Sequence, residues 1–256
     1  MQMILELDAG NTRIKWRLRE RIDDRTWHTL AEDSVFAEQK VPSVFIELGK
    51  QLEKLPMARV DRMLVSTVRG EGFKTVFSSV MTEKWHLQPE YATVAASAGG
   101  VRNGYSDASK LGIDRWLAVV AAYAQTKTAC CIVDCGTTIT VDLVAADGQH
   151  LGGYIVPGLH LMRNALATRS KALATAASAW ELSQPGTSTL AAVHNGILAM
   201  ALGFLRDVRR QEVEAGRQSR WFLTGGDAPY VAPHLNWECR MVPDLVMDGL
   251  SLTMLS

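Results

Sequence analysis

The sequence predicts an α/β protein of two similar halves, each a sheet flanked by helices. Two observations carry this. Ile4-Leu-Glu-Leu-Asp-Ala-Gly-Asn-Thr-Arg-Ile-Lys-Trp-Arg-Leu18 and Cys130-Cys-Ile-Val-Asp-Cys-Gly-Thr-Thr-Ile-Thr-Val-Asp-Leu-Val144 share one form: a β-forming run, an acid, a glycine, two polar residues and a second run. Each reads as a β-hairpin with glycine in its turn. Each also opens half of the chain, and strand and helix patterns follow it in similar order.

In the first half, residues 3–9 and 13–19 form the hairpin and 25–30 add a third antiparallel strand. Val41 to Leu55 carries Val44, Phe45, Leu48, Leu52 and Leu55, a helical stripe that stops at Pro56. Arg62 to Thr67 is a buried strand. Gly72 to Trp85 is a second amphipathic helix with Phe73, Val76, Phe77, Val80 and Met81 inward. Glycines at 99, 100, 104 and 112 mark a long loop over 97–116, of the kind that often carries function. Trp116 to Lys127 is helical, so Gly112-Ile-Asp-Arg115 sits at a helix start.

The second half repeats the meander at 130–135, 138–145 and 149–156, with Asp147-Gly148 as a hairpin turn. A helix from Leu159 to Thr168 follows. Lys171 to Thr187 is rich in small residues and predicts a mobile loop. Leu190 to Val213 is the longest helix, apolar at Val193, Ile197, Met200, Ala201, Phe204, Leu205 and Val208, with Thr189 as its N-cap. A strand at 220–224, a short helix at 228–235, a strand at 239–242 and a helix from Leu245 to Met254 complete the chain. The duplicated hairpin divides it into domains 1–115 and 116–256.

The 256 residues suffice for one large core or two small ones. Lys and Arg balance Asp and Glu at 27 each and are scattered, which suggests neither a nucleic-acid nor a membrane surface. No apolar run reaches the roughly 18 residues of a membrane span. Met-Gln-Met leads straight into a strand, so no signal peptide is expected. The cysteines, Cys130, Cys131, Cys135 and Cys239, lack C-x-x-C spacing and read as buried free thiols in a reducing cytoplasm.

The hairpin turns have chemistry of their own. Gly136 lets main chain approach a ligand closely, and N–H groups there can receive phosphate oxygens. Thr137 and Thr138 can donate further bonds, and Asp134 can hold a cation that screens phosphates. An ordinary Thr-rich hairpin has the same local pattern; its recurrence at Asp8 favours a ligand. Asp114, at a helix start, reads either as a helix cap or first-turn acid or as a carboxylate beside the Arg115 guanidinium over a cleft.

Two such hairpins and the late turn Trp221-Phe-Leu-Thr-Gly-Gly-Asp-Ala228 resemble the actin-like, sugar-kinase-like ATPase superfamily. That resemblance implies two ribonuclease H-like domains, each a mixed sheet flanked by helices, with a nucleotide cleft between them. The late glycines would lie against adenosine. More specifically, Asp8-x-Gly-Asn-Thr-x-Ile-Lys15, Gly104-Tyr105, Gly112-x-Asp-Arg115, Asp134-x-Gly-Thr-Thr-x-Thr140, Gly152-Gly153 with Pro157-Gly158, Thr189-x6-Gly196 and Thr224-Gly-Gly-Asp227 occur in one order. Together they resemble type III pantothenate kinase over nearly the whole chain. The resemblance implies ATP-dependent phosphorylation of pantothenate, the first step toward coenzyme A. It further implies a cytoplasmic homodimer that uses magnesium and a monovalent cation, potassium or ammonium.

Matching positions carry the implied roles. Asp8, Ala9, Gly10, Asn11, Thr12, Arg13, Ile14 and Lys15 would form the first phosphate loop, with Asp8 a candidate divalent-cation ligand. Thr137 would contact the ATP phosphates from the second side, and Asp134 would bind the monovalent cation. Tyr105, Gly112, Ile113, Asp114, Arg115 and Thr189 would line the pantothenate site. Asp114 would be the general base, charged at pH 7, and Arg115 would pair with the substrate carboxylate. Thr138 stands where the family commonly has Ala, and Cys135 precedes Gly136; neither removes a functional group.

No G-x-x-x-x-G-K-[ST] occurs, which excludes a P-loop kinase, and no G-x-G-x-x-G precedes a strand lysine. A non-catalytic regulatory accessory-factor relative would not require Asp114, Arg115 and both phosphate turns together. Acetate kinases, sugar kinases and actin-like polymers are usually longer.

Overall fold

A computed structural model describes residues 2–23, 26–37, 41–167, 180 and 185–255. The first hairpin joins β1 (Met3–Ala9) to β2 (Arg13–Arg21), and β3 (Trp27–Phe36) lies antiparallel beyond β2. β3 is longer than the expected 25–30. Helix α1 (Val41–Leu52) then leads to β4 (Arg62–Thr67), which pairs parallel with β1. It ends before Leu55, where the chain turns towards a short 3-10 segment, Met57–Arg59. Helix α2 (Glu71–Trp85) leads to β5 (Pro89–Tyr91), parallel to β4, giving a mixed sheet ordered β3-β2-β1-β4-β5.

Alternation along β1 decides what each face receives, because successive strand side chains point to opposite sides. Leu5, Leu7 and Ala9 join Val44, Leu48 and Leu52 of α1 and Phe73, Phe77 and Met81 of α2 in one core. Phe45, Phe73 and Phe77 meet there at ring separations of 5.5 to 5.8 Å. Val76, expected inward, is 46% exposed: it falls outside the arc that Phe73, Phe77 and Met81 set against the sheet.

Ile4, Glu6 and Asp8 point to the other face. Glu6 is fully buried there and accepts from Arg17 of β2, whose guanidinium also reaches Asp248 at 2.9 Å and Ser251 at 3.1 Å. Asp248 and Ser251 belong to the closing helix, Leu245–Met254, so a buried charge is matched and the helix is fixed by the same bonds. That helix also meets α3 (Ile113–Thr126) closely: a Cβ on Gly249 would lie 2.0 Å from the Leu117 carbonyl oxygen.

After two short strands, β6 (Ser97–Ala98) and β7 (Val101–Arg102), the strands β8 (Cys130–Cys135), β9 (Thr138–Val144) and β10 (His150–Pro157) form the second meander. β11 (Arg220–Thr224) runs parallel to β8, and β12 (Cys239–Met241) parallel to β11. The order β10-β9-β8-β11-β12 repeats the first sheet strand for strand. Cys131, Val133 and Cys135 face a core shared with Ile197, Leu198, Ala201, Leu202 and Leu205. The four cysteines are free, with the three on β8 buried. Burial pushes the Cys130 thiol up to about 12, so it stays protonated and unreactive.

The helix over the second core is Thr189–Glu214. Ser188, not Thr189, is its N-cap: the Ser188 hydroxyl accepts from the Ala191 N–H at 3.2 Å, leaving Thr189 in the first turn. Met200, expected to be inward, is 63% exposed. By length and composition alone this helix could cross a membrane, with mean hydropathy 1.3 over an 18-residue window, although its apolar residues do not form an unbroken run of about 18. Its inward face buries His194 and Glu212 among Ile197, Leu198, Leu205 and Val208. Glu212 is matched by Arg217 at 2.6 Å and Ser219 at 2.7 Å. The loop expected at 171–187 falls outside the described residues apart from 180 and 185–187.

The chain forms two units, neither continuous in sequence. One comprises Met1–Gly99, Tyr105–Ala121 and Val246–Ser256; the other comprises Gly100–Gly104 and Ala122–Leu245.

Candidate active site

In the first unit the turn after β1 and the start of α3 bring two acids together. Asp8 ends the Ile4-Glu6-Asp8 face, opposite Lys15 on β2 and Ser66 on β4. Its carboxyl is pushed up to about 6, first by desolvation and next by the negative charge of Asp114; Lys15 opposes the shift. Burial and a second carboxylate both disfavour the ionised form, so the pair is arranged for a cation or a proton.

Helix α3 explains the Gly112-x-Asp-Arg115 pattern. Gly112 accepts from the Trp116 N–H at 2.9 Å and so takes the cap position. Asp114 lies in the first turn and accepts from the Arg115 N–H at 2.8 Å, so it is a first-turn acid and not the cap. A Cβ at Gly112 would stand 2.7 Å from Asp114 Oδ1; glycine leaves the carboxylate its room. Arg115 is 7% exposed and donates to the Tyr105 hydroxyl at 2.8 Å, joining two of the expected substrate residues.

The other first-unit residues divide by direction. Ala9 and Ile14 are buried in the core, so their side chains face packing and only their main chain is offered at the turn. Ile113 is likewise buried. Asn11 is exposed at the tip, and Arg13 is drawn over the Phe36 ring at 4.4 Å.

In the second unit Asp134 occupies the corresponding end of β8, opposite Thr140. Thr137 is exposed at the turn. Main chain packs tightly around this hairpin. Gly158 N–H donates to the Thr137 carbonyl at 3.0 Å and Asp227 N–H to the Cys135 carbonyl at 2.8 Å. Gly225, at φ 90°, approaches so closely that a Cβ would lie 2.4 Å from Asp134 Oδ1. Thr189 also belongs to this unit and is exposed.

Residues 68–70, between β4 and α2, carry no expected role. Arg69 sits there and donates to three main-chain carbonyls: Gly10 at 2.9 Å, Asn11 at 2.8 Å and Ala37 at 2.9 Å. No local pattern marks it; an arginine before a glycine at a strand end is ordinary.

A family model for type III pantothenate kinase matches residues 4–211. The chain belongs to the type III pantothenate kinase family. A type III pantothenate kinase of Pseudomonas aeruginosa is 44% identical over 98% of both chains, and one of Nitrosococcus oceani is 35% identical over 97% of this chain and 92% of that one. Solved structures agree on the fold. The ethanolamine utilization protein EutJ of Carboxydothermus hydrogenoformans has a TM-score of 0.55 at 13% identity, covering 99% of this chain and 90% of that one. The activator of 2-hydroxyisocaproyl-CoA dehydratase from Clostridium difficile, solved with bound ADPNP, has a TM-score of 0.52 at 12% identity, covering 98% and 93%. Both sheets and their order fit the two-domain actin-like ATPase architecture.

Proposed function

We propose that this chain transfers the γ-phosphoryl group of ATP to the hydroxyl of pantothenate, giving 4'-phosphopantothenate, the first step toward coenzyme A. The observation that carries this reading is the Asp8–Asp114 pair. The charge of Asp114 reaches Asp8 within one unit, which supports reading the Asp8 to Lys15 turn as a phosphate loop and the Gly112 to Arg115 motif as the acceptor site beside it. Phosphoryl transfer asks the protein mainly for alignment, charge neutralisation and a proton acceptor.

In this reading Asp8 to Lys15 hold the phosphates, and Asp114 orients the acceptor hydroxyl and takes its proton. Arg115 and Tyr105 fix the pantothenate carboxylate end, with Gly112 and Ile113 beside them at the start of α3. Among the described residues no group of three or more His, Cys, Asp and Glu is gathered for a metal. Magnesium is commonly held by one or two carboxylates together with substrate phosphates. Asp8 would hold it, and when bound it would neutralise phosphate charge. Asp134, an oxygen ligand crowded by the Gly225 turn, suits a potassium or ammonium ion. ATP use and the free thiols suit a reducing cytoplasm.

A coupled ADP-release assay with pantothenate, set against sugars and short carboxylic acids, tests the substrate. Turnover confined to pantothenate is expected; equal turnover of acetate or a hexose, or none at all, rejects the assignment. Asp134→Ala is expected to remove stimulation by potassium with the fold intact by circular dichroism. A variant that responds to potassium as the parent does shows that Asp134 is not the ligand. Met200 and Val213 are exposed along the long helix and suit an isologous dimer. Light scattering that finds a fully active monomer ends that assignment.

A further inference from the structure

The turn between β1 and β2 carries its polarity in consecutive peptide groups. All described peptide bonds are trans, so each C=O points opposite to the N–H of the next residue. Holding a carbonyl on one side therefore aims the following N–H to the other. The Ala9 carbonyl accepts from the Thr67 hydroxyl at 3.2 Å. The Gly10 carbonyl accepts from Arg69 Nε at 2.9 Å, and the Asn11 carbonyl from Arg69 Nη2 at 2.8 Å. The Thr12 carbonyl accepts from the Ala37 N–H at 2.8 Å, and the Ala37 carbonyl returns to Arg69 Nη2 at 2.9 Å. Thus the carbonyls of residues 9 to 12 are all held, and the ring of bonds closes through one guanidinium.

Arg69 has no other evident task. It makes no ion pair among the described residues, and its guanidinium lies 5.1 Å from the Phe73 ring centroid. Partial burial lowers its pKa, a cost that surface charge alone would avoid. Thr67 positions the segment as well, accepting from the Arg69 N–H at 3.1 Å.

We propose that Arg69 is a positioning residue for the nucleotide: by holding the Gly10, Asn11 and Ala37 carbonyls it directs the turn's N–H groups toward the ATP phosphates. This rests on the reading of Asp8 to Lys15 as the first phosphate loop. The guanidinium acts from behind the loop and needs no contact with ATP. It also places a fixed positive charge next to carbonyls that would otherwise repel phosphate. Lysine can satisfy one or two of the three acceptors but cannot present a planar fork to all of them.

The test is titration calorimetry with magnesium and a non-hydrolysable ATP analogue, on the parent, Arg69→Met and Arg69→Lys. Losing charged hydrogen bonds of this kind is expected to weaken nucleotide binding about 10- to 100-fold in Arg69→Met, with Arg69→Lys recovering part of the loss. The pantothenate KM is expected to stay within about twofold, because the Arg69 guanidinium bonds to the Gly10, Asn11 and Ala37 carbonyls and not to Tyr105, Asp114 or Arg115. A second reading uses Arg69→Ala. The guanidinium borders a cleft lined by Asn11, Gly70 and Phe73, so added methylguanidinium can reach the vacated position and is expected to restore part of the nucleotide affinity. Nucleotide affinity within twofold of the parent in a folded Arg69→Met overturns the proposal. So does loss of affinity for both substrates alike, with no rescue, which marks a structural residue. If Arg69→Met does not fold, an unchanged affinity in Arg69→Lys overturns it. Parent turnover of pantothenate reports separately on the kinase reading: a parent that binds the analogue yet leaves pantothenate untouched refutes that reading and leaves the Arg69 comparison intact.

Discussion

The two hairpins share an ancestor-like plan but are held in different ways. Behind the first turn, side chains hold three of the four carbonyls: Thr67 and Arg69 reach those of Ala9, Gly10 and Asn11, and only that of Thr12 is held by main chain, the Ala37 N–H. Behind the second, main chain does it: the N–H groups of Gly158 and Asp227 reach the carbonyls of Thr137 and Cys135. A side-chain brace is adjustable and can be removed by one substitution. A main-chain brace demands glycine, because a Cβ at Gly158 would stand 2.2 Å from the Gly136 carbonyl oxygen. The acids differ as well. Asp8 faces a second carboxylate, Asp114, whereas Asp134 faces the Gly225 turn. The first turn is built around charge, the second around close packing.

The largest effect expected from breaking this contrast is at Asp114. Asn keeps the acceptor for the Arg115 N–H but cannot take a proton, so Asp114→Asn is expected to lower kcat about 10²- to 10⁴-fold, with ATP affinity and Tm little changed. Steady-state rates decide it; a kcat within a fewfold of the parent leaves Asp114 a first-turn acid only.

Next is the packed side of the comparison. Gly225→Ala puts a Cβ at φ 90° and 2.4 Å from both Asp134 Oδ1 and the Cys135 carbonyl oxygen. Backbone strain and overpacking together are expected to cost about 2–4 kcal/mol in urea unfolding. A variant as stable as the parent shows that this turn is looser than its geometry.

The smallest expected effect tests the charged side. Asp8 titrates near 6 when folded, against a usual value of 3.8. Between these values the folded chain holds the proton more tightly than the unfolded chain, so this group's contribution to stability falls as pH rises from about 4 to about 6. Above 6 the full penalty remains. For a partly exposed group it amounts to about 1–3 kcal/mol. Asp8→Asn is expected to flatten that part of the pH profile, and Asp114→Asn to shift it to lower pH. Urea midpoints at pH 4.5 and 6.5 that move alike in parent and Asp8→Asn contradict the account.

The repeat was legible because each hairpin packs an apolar alternation around a fixed turn chemistry, both local properties. Its register was not. Written side by side, the two motifs align residue for residue, yet the first turn closes at Ala9–Ile14 and the second at Cys135–Ile139, one residue shorter. Strand pairing, not spacing in the sequence, sets Lys15 opposite Asp8 and Thr140 opposite Asp134. Helix faces were legible where a stripe was narrow, as at Phe73, Phe77 and Met81. They failed at Val76 and Met200, because a periodic stripe does not say how wide the contact surface will be.

By itself the sequence determined the two meanders, the helices between them, the acids at their turns and the family to which those turns belong. These follow from periodicity and from glycine, whose freedom of approach is written into its lack of a side chain. Only the tertiary structure decided that Asp8 and Asp114 share one low-dielectric place, that Glu6 and Arg17 tie the last helix to the first sheet, and that Arg69 gathers three carbonyls from two segments. Such contacts join residues with no common local pattern. They depend on which sheet face each side chain occupies once the strands have paired.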